Sequence, residues 1–138
     1  MSKKHTLVIT SDPMRIEEVD EFLENVINEL SFSRDECDDI AIAVSEAVNN
    51  AIMHGNKNDL SKKVTIQLNK LDDGLKVIVS DEGEGFDPDA VSDPRAQENI
   101  MALAGRGLLI IRHLMDKVNV QPAKNGTRIS MIKLFPQS

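Results

Sequence analysis

The hydrophobic pattern of this chain presents helices and strands in runs, and that order restricts the fold more than any other feature. His5–Thr10 reads as a first strand. Ile16, Val19, Leu23, Val26, Ile27 and Leu30 then recur at helical spacing behind Pro13, with Ser11 or Asp12 placed to cap that helix. Ser33 caps a second, longer helix, and Glu36 three residues later completes a capping box. This helix runs to about His54 and meets Gly55 as a stop signal. Val64, Ile66 and Leu68 alternate with Thr65, Gln67 and Asn69, the pattern of a strand with one buried face. Asp72-Asp73-Gly74 turns the chain into a further strand, Leu75–Ser80. After an irregular stretch, Gly107–Met115 predicts a third helix. Val118–Gln121 and Thr127–Leu134 predict two last strands around an Asn125-Gly126 turn. Strands and helices do not alternate singly, which disfavours a doubly wound parallel sheet. The order predicts an α+β two-layer sandwich: a mixed, largely antiparallel sheet with helices on one face.

The 138 residues, 41% of them hydrophobic, suit one domain with one core spanning residues 1–138. No apolar run approaches the roughly 20 residues of a membrane-spanning helix. The start, Met1 to His5, leads only into Leu7-Val8-Ile9, too short for a signal peptide. The expectation is a cytoplasmic protein with no membrane contact. Cys37 is the single cysteine, so an internal disulfide and a multi-cysteine zinc site are both excluded. Its acidic neighbours disfavour a reactive thiolate, and it reads as an inert, small buried residue. Net charge is −7, with acids clustered at Glu17–Glu24, Asp35–Asp39 and Asp81–Asp93 and no basic stripe against them. Direct nucleic-acid binding is therefore not expected.

On the second helix, Ala43, Glu46, Asn50 and His54 follow one another by three, four and four residues, so helical geometry lines them along one face. Ile40, Val44, Val48 and Ala51 or Ile52 form the apolar face. Glu46 sits in an Ala-Val-Ser-Glu-Ala-Val setting otherwise fit for burial, where a carboxylate is costly without a partner or a task. Two readings stand: a stripe facing water, or a general base at Glu46 with an amide-oxygen ligand for a hard cation at Asn50.

The segment from Asp81 to Ala104 contains Gly83, Gly85, Pro88, Pro94 and seven acidic residues, the composition of a functional loop or lid. Its opening, Asp81-x-Gly83-x-Gly85, follows a strand. It reads either as an acidic surface turn or as a flat-ligand site in which Asp81 accepts a hydrogen bond from an exocyclic amine, selecting adenine over guanine. Gly105-Arg106-Gly107-Leu108 opens the third helix, where free N–H groups favour an anion; a plain hinge has the same composition. Neither the Walker spacing nor the Rossmann fingerprint is present. Asn125-Gly126 fits a hairpin turn, with the Thr127 hydroxyl free to face a base.

Together these pieces resemble the GHKL superfamily, named after gyrase, Hsp90, histidine kinases and MutL. Glu46-x-x-x-Asn50-Ala51 with His54-Gly55 is similar to its N box, Asp81-x-Gly83-x-Gly85 to the first glycine box, Gly105-Arg106-Gly107-Leu108 to the second, and Gly126-Thr127 to the last. All four occur in order and nearly fill the chain. The short length and the run Ser45 to Gly55 resemble the anti-sigma-factor serine kinase branch. The resemblance implies a Bergerat-type ATP-binding fold and an Mg²⁺-dependent protein-serine kinase. Such a kinase sequesters a sigma factor and phosphorylates a STAS-type anti-anti-sigma protein. It implies Glu46 as the base, Asn50 as the Mg²⁺ ligand and Asp81 as the reader of adenine beside Gly85 and Thr127. Gly105, Arg106, Gly107 and Leu108 would lie about the phosphates, His54 and Gly83 would complete the boxes, and the chain would form a homodimer. The alternative is a non-catalytic ATP-binding switch module in another signalling pathway.

Overall fold

The computed structural model describes residues 4–83, 107–123 and 125–136. Strand β1 (Lys4–Thr10) leads into a 3₁₀ turn (Pro13–Arg15) and helix α1 (Ile16–Ile27). Asp12 caps the turn, its Oδ1 accepting from the Met14 N–H at 3.0 Å. Ser11, the other capping candidate, is instead fully buried, its hydroxyl donating to the Lys62 carbonyl at 2.7 Å. Helix α2 (Arg34–Asn50) begins at the expected capping box: the Glu36 N–H donates to Ser33 Oγ while the Glu36 carboxylate accepts from the Ser33 N–H. Strands β2 (Lys63–Leu71) and β3 (Gly74–Asp81) form a hairpin. Residues 107–114 are helical (α3), and β4 (Lys117–Ala123) and β5 (Gly126–Leu134) form the last hairpin.

The five strands lie in the order β1-β2-β3-β5-β4, and every pairing is antiparallel. Register sets the two faces. Val64, Ile66 and Leu68 of β2 pair across to Asp81, Val79 and Val77 of β3, and Val77 and Val79 to Met131 and Ile129 of β5. These apolar residues point to one side and are buried there with Val19 and Leu23 of α1, Ile40, Val44 and Val48 of α2, and Ile111 of α3. The helices thus share one face of the sheet, as the order of elements predicts. Burial of this single apolar cluster is the main force holding the two layers together.

Three sequence readings change in detail. Helix α2 does not stop at Gly55 with a left-handed cap. Residues Ala51–Gly55 form a π-helical turn, closed by the Asn56 N–H on the Ala51 carbonyl at 2.8 Å, and the positive φ values fall later, at Lys57 and Asn58. In the last hairpin Ala123 pairs with Gly126, so Gly126 already belongs to β5. Cys37 is half-buried rather than buried, and burial pushes its thiol pKa up, with Asp38 and Glu36 acting the same way. That thiol stays protonated at neutral pH, as its acidic neighbours suggest.

Candidate functional site: polar residues and glycines of α2, β3 and α3

The π-turn brings two sequence-distant motifs together. A β-carbon on Gly55 would stand 2.1 Å from Oδ2 of Asp81 at the end of β3, and one on Gly83 would stand 2.1 Å from the Gly55 carbonyl oxygen. Only a residue without a side chain fits at either place. Gly126 closes the third side: its φ of +145° is open to glycine alone, and a β-carbon there would stand 2.1 Å from the Asp81 carbonyl oxygen. Three glycines from three elements therefore wall in one carboxylate.

The Asp81 carboxylate is oriented by backbone. Its Oδ1 accepts from the Gly83 N–H and from the Thr127 N–H, each at 3.0 Å. Among the described residues no donor bonds Oδ2. Burial pushes the Asp81 pKa above its ordinary value of 3.8, and the two backbone hydrogen bonds partly oppose the shift. The sequence reading of Thr127 concerned its hydroxyl; its backbone N–H is what holds Asp81.

Gly107 gathers the second cluster. A β-carbon there would stand 3.0 Å from Asn50 Nδ2 and 3.0 Å from Glu46 Oε2. Glu46 and Asn50, one helical turn apart on α2, thus both face α3 at its first described residue. Asn50 is only 9% exposed, and its Nδ2 has no hydrogen-bond partner. A buried amide nitrogen without a partner is costly. Leu108 beside Gly107 is buried.

His54, four residues after Asn50, falls within the π-turn and is exposed. Gly85, Arg106 and Gly105 lie outside the described residues, as does the lid over 86–104.

Sequence reasoning missed Asn56. Its buried side chain donates from Nδ2 to Ser11 Oγ at 2.7 Å and to the Lys63 carbonyl at 3.0 Å, while its Oδ1 accepts from the Glu82 N–H at 2.8 Å. It ties the π-turn to β2 and to the residue after Asp81, and so fixes the Asp81 loop. The available signal was a polar residue directly behind His54-Gly55, but nothing in its spacing indicates burial.

The pocket suits a nucleotide. It offers an amine acceptor at Asp81 and small residues that admit a flat ring. Among the described residues no group of three His, Cys, Asp or Glu side chains stands ready to hold a metal. A cation beside Asn50 would therefore take most of its oxygens from phosphate and water, the habit of Mg²⁺.

The sequence profile of the histidine kinase-like ATPase domain matches residues 9–133. The chain belongs to that family. Within this family its relatives include serine-protein kinase RsbW of Bacillus subtilis (strain 168), 36% identical over 117 residues, covering 80% of this chain and 72% of the relative. RsbW of Staphylococcus epidermidis is 39% identical over 118 residues, covering 80% and 74%. At these levels the chain belongs to the RsbW-type branch of the histidine kinase-like ATPases. Among solved structures, the RsbU and RsbW domains of a Mycobacterium tuberculosis protein superpose with a TM-score of 0.72 at 17% identity, over 99% of this chain and 33% of that one. A blue-light activated histidine kinase domain from Erythrobacter litoralis gives 0.56 at 17% identity, over 92% and 62%. Both likenesses concern the fold, and both agree with the two-layer α+β sandwich.

Proposed function

We propose that this chain is an ATP-dependent protein-serine kinase of the anti-sigma type, which sequesters a sigma factor and phosphorylates a serine on a STAS-type antagonist. The observation that carries the reading is the convergence of Glu46 and Asn50 on Gly107, together with a glycine-walled Asp81 at the end of β3. A pocket that only bound nucleotide would need Asp81 but no free carboxylate next to the cation ligand.

In this reading the adenine amine donates to Asp81 Oδ2, with Gly83, Gly85 and Thr127 around the base. Gly105, Arg106, Gly107 and Leu108 line the phosphates. Asn50 would hold Mg²⁺ through its side-chain oxygen, and the bound cation would neutralise charge on the phosphate oxygens. Glu46 takes the proton of the substrate serine as its oxygen bonds to the γ-phosphorus and the bond to the ADP oxygen breaks. Phosphoryl transfer is mainly positioning and charge neutralisation, so these parts suffice. His54, exposed within the π-turn, makes no contact in this scheme. Residues 1–138 act as one ATPase domain, as a homodimer in the cytoplasm. No helix among the described residues is long and apolar enough to cross a membrane.

The test is calorimetric titration of the purified chain with ATP and GTP, with and without Mg²⁺. Magnesium-dependent ATP binding with rejection of GTP is expected. Absence of nucleotide binding would contradict the reading.

A further inference from the structure

Glu46 belongs to a second concavity as well. A groove of about 830 Å³ runs between α1 and α2, and Glu46 and Ser45 line it together with Leu23, Ile27, Ala41 and Ile42. This volume lies within the range of about 300–1,000 Å³ that ligand pockets occupy. Its apolar part is accessible: Ile42 is 48% exposed in the middle of α2, where a large aliphatic side chain normally turns inward. Its charges are one-sided. Asp20, Glu24 and Asp38 line it with Glu46, against Arg34 as the one cation among its lining residues. Asp20 also accepts a hydrogen bond from Ser45 Oγ at 3.4 Å, which bridges α1 to the residue beside Glu46.

An apolar groove with carboxylates around it fits an apolar segment carrying cations. Its continuity with Glu46 says what that segment brings. A hydroxyl delivered along the groove meets Glu46 from the α1 side, while Asn50 and Gly107 hold the nucleotide side. We propose that the α1–α2 groove is the docking channel for the serine-bearing segment of the substrate protein, and that this segment is apolar with Lys or Arg next to the serine. The proposal rests on the kinase reading for its purpose, but its occupancy can be measured without catalysis.

Two fluorescein-labelled synthetic peptides provide the probe: one with a serine flanked by leucines, lysine and arginine, the other with the cations replaced by Asp and Glu. Binding is followed by anisotropy, without ATP. Saturable binding of the basic peptide alone is expected. Asp38→Arg should weaken it at least fivefold and Ile42→Ser about fivefold. Glu21→Arg makes the same change in net charge on α1 outside the groove, and should leave affinity within about twofold. Bound basic peptide should also slow maleimide alkylation of Cys37, which lines the groove. Equal binding of both peptides overturns the proposal, as do equal effects of Asp38→Arg and Glu21→Arg, an unchanged Cys37 rate, or no saturable binding at millimolar concentration. Phosphate transfer is measured separately. Transfer that is indifferent to Asp38→Arg and Ile42→Ser removes the groove and leaves the kinase. Groove binding by a chain that transfers no phosphate to any protein substrate removes the kinase and leaves the groove.

Discussion

Gly55 lies so close to Asp81 that a single methyl group on it would stand 2.1 Å from the carboxylate oxygen Oδ2. The π-turn after α2 and the end of β3 therefore touch, with backbone on one side and the Asp81 carboxylate on the other. Gly55→Ala should push Asp81 off its two backbone donors. We expect a loss of about 1–3 kcal/mol in stability from overpacking and a fall in ATP affinity of at least tenfold, read by denaturant titration and calorimetry. Wild-type ATP affinity in this variant would show that Asp81 does not need its present position.

Asp81→Asn separates stability from binding. Because folding raises the Asp81 pKa, its ionisation costs stability as pH rises through the window between 3.8 and the raised folded value, and that cost persists at neutral pH. Asparagine keeps an oxygen for the Gly83 and Thr127 N–H groups and removes the charge. Its melting midpoint at pH 7 should equal the wild type's or exceed it by roughly 2–4 °C, with the difference vanishing below pH 3.8. With the oxygen held by those two donors, the amide NH₂ takes the place of Oδ2 and faces the donor amine of adenine. ATP affinity should fall at least tenfold, and rejection of GTP should weaken. A lower midpoint at pH 7 would mean that the charge itself stabilises the fold.

Asn56→Ala should cost about 2–4 kcal/mol, since it removes the donor to Ser11 Oγ and to the Lys63 carbonyl and leaves the Glu82 N–H without its acceptor. Urea unfolding measures this directly. A cost under about 0.5 kcal/mol would show that water replaces the side chain.

Asn50→Ala should abolish the response of ATP affinity to Mg²⁺ while leaving Mg²⁺-free binding within about threefold. Chelating the metal should bring the wild type down to the variant's affinity. Retention of a full Mg²⁺ response in the variant would assign the cation to other oxygens.

Much of the fold was legible in the sequence because its signals are local. The Ser33 and Glu36 box starts α2, the alternation of Val64 to Asn69 sets the faces of β2, and the spacing of Glu46 and Asn50 puts both on one side of α2. The departures come from contacts between elements. Gly55 looks like a helix stop, but the reason for its missing side chain is Asp81, 26 residues later. Gly126 looks like half of a turn, but it is the neighbour of the Asp81 carbonyl. A π-turn leaves no mark in hydrophobic periodicity, so the widening of the helix over Ala51–Gly55 had no signal in the sequence. Asn56 is polar and follows a glycine, the composition of a surface loop; only the meeting of β1, β2 and the Asp81 loop makes it interior.

The central claim is that Glu46 is the base of a serine kinase, and one comparison tests it most directly. Transfer of labelled γ-phosphate from ATP to STAS-domain proteins of the same genome is measured with the wild type and with Glu46→Ala, alongside ATP affinity by calorimetry. The account predicts serine phosphorylation by the wild type, a loss of about 10²–10⁴-fold in the variant, and ATP affinity unchanged within about threefold. Undiminished transfer by Glu46→Ala, or a parallel loss of ATP binding, would contradict it.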